Sequence, residues 1–158
     1  MITHIDGNLL FAKEKYLLHQ TNCFSKRSAH LAASVFQAFP WADIYTGRQY
    51  PDNPGDIIVR GNGVTQRFVI NLLGQVYPGG PKYPNDSLDG FKARQKHFIS
   101  ALLKVTQIPE LESLAFPSKI GCGSAKGNWD WYLDTIQRFD TYINHIQPVN
   151  ITIYKLEI

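Results

Sequence analysis

Two stretches carry residue types whose spacing could act on a bound anion. IGCGSAKGNW, residues 120–129, places three glycines within seven residues between an apolar run, Leu114-Ala115-Phe116-Pro117, and a segment of helical apolar spacing, DWYLDTIQRF. Glycine adopts positive φ and has no side chain to block a ligand, so such a turn either makes a tight corner or lays backbone N–H groups against an anion. TNCFSKRSAH, residues 21–30, likewise leads from a strand into a helix and carries Asn22, Lys26, Arg27 and His30. A helix start offers unpaired N–H groups and the positive end of its dipole, which suits phosphate. Two such starts facing one crevice would suit a diphosphate. An imidazole titrates near neutrality, so His30 in that crevice could act as a general base; the other reading is a first-turn histidine without a chemical task. Lys26 and Arg27 either neutralise phosphate charge or are solvated loop cations.

The elements that must position these loops follow from pattern. The chain has 158 residues, 44% hydrophobic and 18% charged, which is enough for one domain with a real core. Residues 1–158 are therefore read as a single domain. A net charge of +3 without blocks of like charge does not indicate general nucleic-acid binding. No apolar run is long enough to span a bilayer, and Met1-Ile2-Thr3-His4-Ile5-Asp6 lacks the regions of a signal peptide. A soluble cytoplasmic protein, or a nuclear one in a eukaryote, is expected. Cys23 and Cys122 are far apart, with no zinc-ligand spacing, so no metal is expected and a reducing compartment disfavours their pairing. No cofactor is expected.

Short strands are expected at Ile2–Asp6, Tyr16–Gln20, Ser113–Phe116 and Asn150–Leu156, and a hairpin from Asp56–Arg60 to Arg67–Leu73 around a Gly-Asn-Gly turn. Helices are expected from Ala29 to Phe39, with Leu31, Val35, Ala38 and Phe39 near one face, from Leu88 to Val105, capped by Asp86 or Ser87, and after the late loop through Phe139. The order β-β-α-β-β-α-β-α-β predicts an α/β fold, a mixed sheet covered by helices on both faces. Ligands in such folds lie beyond the carboxyl ends of strands, where both loops fall.

ITHIDGNLL, YLLHQTNC, FVINLLGQ, FPSKIGCGSAKGNW and ITIYKL occur in the order and rough spacing of macro domains. The chain resembles that family along nearly its whole length, and within it the branch of short, free-standing members that includes the terminal ADP-ribose glycohydrolase and the yeast ADP-ribose 1''-phosphate phosphatase. The resemblance implies a three-layer α/β/α sandwich that binds ADP-ribose, or an ADP-ribosylated molecule, across the carboxyl ends of the central strands. It implies that Asn8, followed by Leu9, stands where the family has an acidic residue holding the adenine amino group; the alternative is that Asn8 caps the next turn. Asn22 is similar to the asparagine at the distal ribose. Ser28, Ala29, His30 and Leu31 replace the Gly-rich opening of the first helix, and Ile120, Gly121, Cys122, Gly123, Ser124, Ala125, Lys126 and Gly127 resemble the second phosphate loop, with Trp129 anchoring the helix behind it. The lysine nucleophile and the aspartate of the glycohydrolase branch fall on Leu73 or Gly74 and on Ala125, so a lysyl adduct is not carried over; neither Lys82 nor Asp130 matches residue by residue. Cys23 and Cys122 would need a cationic partner to act as thiolates and otherwise read as small buried residues.

The implied function is binding of ADP-ribose with hydrolysis of a derivative, either a mono-ADP-ribosyl linkage or the 1''-phosphate, with Asn22 and His30 as the catalytic candidates. The alternatives are a non-catalytic reader of ADP-ribose or ADP-ribosylated partners, and a binder of another nucleotide. Nucleic acid enters only as an ADP-ribosylated substrate, and no membrane partner is implied.

Overall fold

The computed structural model describes residues 2–156. Six strands form one sheet: β1 (Ile2–Asp6), β2 (Tyr16–Asn22), β3 (Ile57–Arg60), β4 (Phe68–Gln75), β5 (Ser113–Pro117) and β6 (Asn150–Lys155). Their spatial order is β1-β6-β5-β2-β4-β3. All neighbours run parallel except β3, which pairs antiparallel with β4 from Ile57↔Leu72 to Arg60↔Val69. Helices α1 (His30–Ala38), α2 (Phe91–Val105) and α3 (Trp129–Asn144) connect them, with single 3₁₀ turns at Leu9–Phe11 and Pro40–Ala42.

The period-2 alternation of the central strands sends side chains to opposite faces. Tyr16, Leu18, Ile70 and Leu72 join one core with Phe98 and Leu102 of α2 and Ile136 and Phe139 of α3. Leu17, Val69 and Leu73 join a second core with Val35 and Phe36 of α1. The molecule is thus a mixed sheet between helices on both faces, the three-layer arrangement expected from the order of elements. No helix of the described residues is long and apolar enough to cross a membrane.

Several boundaries differ from the pattern, each for a local reason. α2 begins at Phe91 with Gly90 as its cap, not at Leu88 behind Asp86 or Ser87. Residues 84–90 instead fold into a turn closed by Gly90 N–H to Asp86 O and Phe91 N–H to Pro84 O, and Leu88 is half exposed. In α1 the buried pair is Val35 and Phe36, while Leu31 is 40% exposed. The hairpin turn spans residues 61–67, because Asn62 Oδ1 accepts the N–H groups of Val64, Thr65 and Gln66. β2 runs two residues further, to Asn22, which puts that residue at the carboxyl end of a central strand. α3 continues to Asn144.

Candidate functional site

The carboxyl ends of β2, β4 and β5 open into a crevice of about 530 Å³. Its walls are residues 22–32, the loop after β4 at Pro78 and Gly79, and the loop after β5 from Ser118 to Ala125. Among the described residues, no aspartate or glutamate lines it.

The first wall is built on Asn22. Its Oδ1 accepts the N–H groups of Phe24 (3.0 Å) and Ser25 (2.7 Å), and its Nδ2 donates to Ser25 Oγ (2.9 Å). The amide therefore folds the loop as an Asx turn, and one Nδ2 hydrogen has no acceptor among the described residues. Arg48 braces the same turn from behind, donating to Asn22 O and Ser25 O while paired with Asp52 at 2.9 Å. The chain then enters α1 through Ala29, whose backbone is extended and which supplies no side-chain cap. With neither a cap nor an acidic residue in the first turn, the leading N–H groups of α1 keep their positive character toward the crevice. His30 opens the helix at φ 54°, a left-handed conformation that glycine adopts without strain, and its exposed imidazole has no hydrogen-bond partner among the described residues.

The loop after β5 answers why so many glycines stand there. Gly127 N–H donates to Gly121 O (2.9 Å), closing the loop on itself, and a Cβ at Gly127 would collide with that same carbonyl. Gly121 lies at φ 73°, and a Cβ there would come within 2.9 Å of the Tyr132 ring. These two glycines serve closure and packing, the corner reading of the loop, and of the three only Gly123 faces open space. Cys122 and Lys126 N–H groups are also used internally, by Lys119 O and Gly123 O. The consecutive N–H groups of Gly123, Ser124 and Ala125 have no partner among the described residues, and all three residues line the crevice. A run of unpaired backbone N–H groups in a turn forms an anion nest.

The third wall was not assigned from sequence. Asp89 accepts the N–H groups of Val76 (2.7 Å) and Tyr77 (3.2 Å), and is paired with Arg94 at 2.7 Å. Arg94, 2% exposed, donates to Gly79 O (2.6 Å) and Tyr77 O (3.2 Å). This buried ion pair ties the loop after β4 to α2. On the crevice side Gln75 Nε2 donates to Tyr77 O, and Gln75 Oε1 accepts from Gln20.

Of the residues expected from sequence, Asn22, Ala29, His30, Leu31, Ile120, Gly121, Gly123, Ser124 and Ala125 line one crevice together. Ser28, Cys122, Lys126 and Gly127 sit in the same loops without lining it. Leu9 and Leu73 are buried in the core beneath α1. Asn8 caps the 3₁₀ turn after β1, its Oδ1 accepting Leu10 N–H at 2.9 Å. Strand β6 separates β1, and with it this end of the sheet, from β5 and the crevice. Arg27 lines the crevice and Lys26 does not. Trp129 packs against the α2–α3 core, as expected. Both cysteines are free thiols. Burial pushes Cys23 up to about 12 and Cys122 up to about 11, so neither is a thiolate at neutral pH. Gln75, Pro78 and Gly79 could have been found by applying the strand-end rule to β4, whose YPGGP continuation is a third loop at the same edge, and Gln20 by applying it to the end of β2. Tyr45 had no sequence signal, because it reaches the crevice from the segment after α1 through packing.

No model of a known protein family matches the chain. A 17.5 kDa uncharacterized protein of the tk-vs intergenic region of Enterobacteria phage T4 is 25% identical along an alignment of 162 positions that covers 94% of each chain. The macrodomain of Mycobacterium tuberculosis DarG superposes with a TM-score of 0.67 at 20% identity, over 98% of this chain and 97% of that one. The macrodomain of Thermus aquaticus DarG gives 0.66 at 21% identity, over 100% and 99%. A variant of the Oceanobacillus iheyensis macrodomain, solved with ADP-ribose, gives 0.58 at 16% identity, over 97% and 83%. The chain has the macrodomain fold.

Proposed function

We propose that this protein binds ADP-ribose, or the ADP-ribosyl group of a modified molecule, with the diphosphate spanning the crevice between the N-terminus of α1 and the Gly123–Ala125 nest. The observation that carries this reading is the meeting of two sets of backbone N–H groups, unpaired among the described residues, across one crevice that no described carboxylate lines. The macrodomain fold, and the ADP-ribose held by one structural neighbour, support the choice of ligand. Arg27 and Lys119 line the same walls and add positive charge where a diphosphate needs it. Titrating ADP-ribose into isotopically labelled protein tests the reading residue by residue. The amide resonances of Gly123, Ser124, Ala125, Leu31 and Ala32 move the most, whereas shifts confined to other surfaces refute the placement.

A second reading, hydrolysis of the bond at the distal ribose, is favoured by one observation: His30 stands at the crevice with an unpartnered imidazole. In that reaction an attacking water gives its proton to the imidazole as its oxygen bonds to the anomeric carbon. The bond from that carbon to the acceptor breaks, and the acceptor leaves with a solvent proton. Gly74 carries no side chain, Leu73 is a core residue, and Ala125 occupies the late loop, so the branch's lysine and aspartate have no counterpart at the matching positions. Replacing His30 with Ala lowers turnover by about 100-fold with ADP-ribose binding retained, since general-base contributions are on that scale. Unchanged turnover removes His30 from the reaction.

A further inference from the structure

Tyr45 lines the crevice, is 3% exposed, and carries none of the roles described above. Its phenol oxygen accepts the N–H of Asn22 at 2.9 Å, at the end of β2. A phenol accepts and donates, and the donor half is unspent: no acceptor for the Tyr45 hydroxyl hydrogen exists among the described residues. The ring cannot turn away to find one. Phe36 packs edge-on against it at 5.3 Å, and the Arg48 guanidinium lies over it at 5.0 Å while bound to Asn22 O, Ser25 O and Asp52. Burial raises the phenol to about 12, so it keeps its proton at neutral pH.

The surroundings decide what such a hydroxyl would meet. Ala29, His30, Leu31 and Ala32 of the uncapped start of α1 line the crevice with it, and their neighbourhood is one of donors. A group placed among helix N-terminal N–H groups and one more O–H free to donate must be an acceptor, and an anionic oxygen fits best. We propose that Tyr45 contacts the ligand directly, its hydroxyl donating to a phosphate oxygen seated at the N-terminus of α1. The inference rests on the ADP-ribose reading for the ligand's identity but not for the anion seat. Arg48 is then a positioning residue, holding the ring and the Asn22–Ser25 turn in register with that seat.

The test measures Kd for ADP-ribose and, separately, for inorganic pyrophosphate, in wild type, in Tyr45→Phe, and in protein with 3-fluorotyrosine at position 45. Tyr45→Phe raises both constants about tenfold, the scale of one charge-assisted hydrogen bond. That variant also strips Asn22 N–H of its acceptor, so the fluorinated residue separates the roles. Its phenol is a stronger donor and a weaker acceptor: a contact to the ligand tightens binding about twofold, whereas a purely structural role through Asn22 weakens it. Constants within twofold of wild type in Tyr45→Phe, or weaker binding on fluorination, overturn the proposal. If wild type binds pyrophosphate but not ADP-ribose, and Tyr45→Phe loses it, the Tyr45 assignment stands and the ADP-ribose reading falls. If wild type binds neither anion, both fall.

Discussion

Acid should weaken this fold through one buried histidine. His19 on β2 is fully buried, directly across from Asn71 on β4, and its Nε2 lies 2.6 Å from Asn71 Oδ1. Asn71 Nδ2 donates to Ala42 O and Ile58 O, so the amide oxygen is what faces the ring and Nε2 must carry the proton. Nδ1 is then bare and buried, with no donor among the described residues. Burial lowers His19 to about 4 from an ordinary 6.5, the hydrogen bond to Asn71 opposing the shift. The unfolded chain therefore binds a proton as pH falls through 6.5, while the native state resists until about 4. Stability from this group is complete above pH 6.5 and lost progressively as pH falls toward 4, with a slope approaching about 1.4 kcal/mol per pH unit. Between pH 7 and 4.5 the loss comes to about 2 kcal/mol. His19→Gln keeps an N–H aimed at Asn71 Oδ1 and cannot titrate. Urea unfolding of both proteins at several pH values isolates the effect, because the carboxylates are common to both and cancel in the difference. The stability difference, wild type minus variant, falls by about 2 kcal/mol from pH 7 to 4.5. Parallel curves would show that His19 is not the group that the fold keeps neutral.

Four further outcomes follow from named contacts. Arg94→Met leaves the Asp89 charge buried without its partner and costs about 3 kcal/mol in urea unfolding, since breaking a buried pair is expensive; an effect under 1 kcal/mol refutes the clasp. His30→Gly relieves the left-handed backbone and raises stability by roughly 0.5 kcal/mol, whereas a loss of that size shows the side chain to be a structural anchor. Gly121→Ala is strained at φ 73° and presses on Tyr132, costing roughly 1 to 2 kcal/mol and displacing the Gly123–Ala125 amides, which a thermal scan and amide shifts report together. Cys23 in folded protein resists a thiol reagent at pH 8 and reacts on unfolding, because the raised thiol is also fully buried; rapid labelling of native protein refutes this.

The sheet was legible because its strands obey simple periods. Leu17, Val69 and Leu73 alternate with Leu18, Ile70 and Leu72 between two cores, and the parallel crossovers demand helices on both faces. The start of α2 was not legible, since Leu88 and Phe91 fit a helical stripe that the Asp86–Gly90 turn cuts short. At the site, the two strand-to-helix loops stood out by glycine and polar content. What the glycines do did not, because Gly127 answers to the carbonyl of Gly121, and Gly121 answers to a ring eleven residues away in α3. The loop after β4 is held by Arg94 from a later helix, and Tyr45 arrives through packing on Phe36. Such placements depend on tertiary contacts that no local pattern encodes.

The central claim is recognition of ADP-ribose, and calorimetric titration of the purified, folded protein tests it most directly, with AMP and ATP as controls. Saturable binding of ADP-ribose, at least tenfold tighter than either control, is the result expected if the crevice seats a diphosphate between two sets of N–H groups. Binding of ADP-ribose no tighter than AMP or ATP would contradict it, and would mean that the residues opening α1, His30 above all, have retuned the crevice to another ligand.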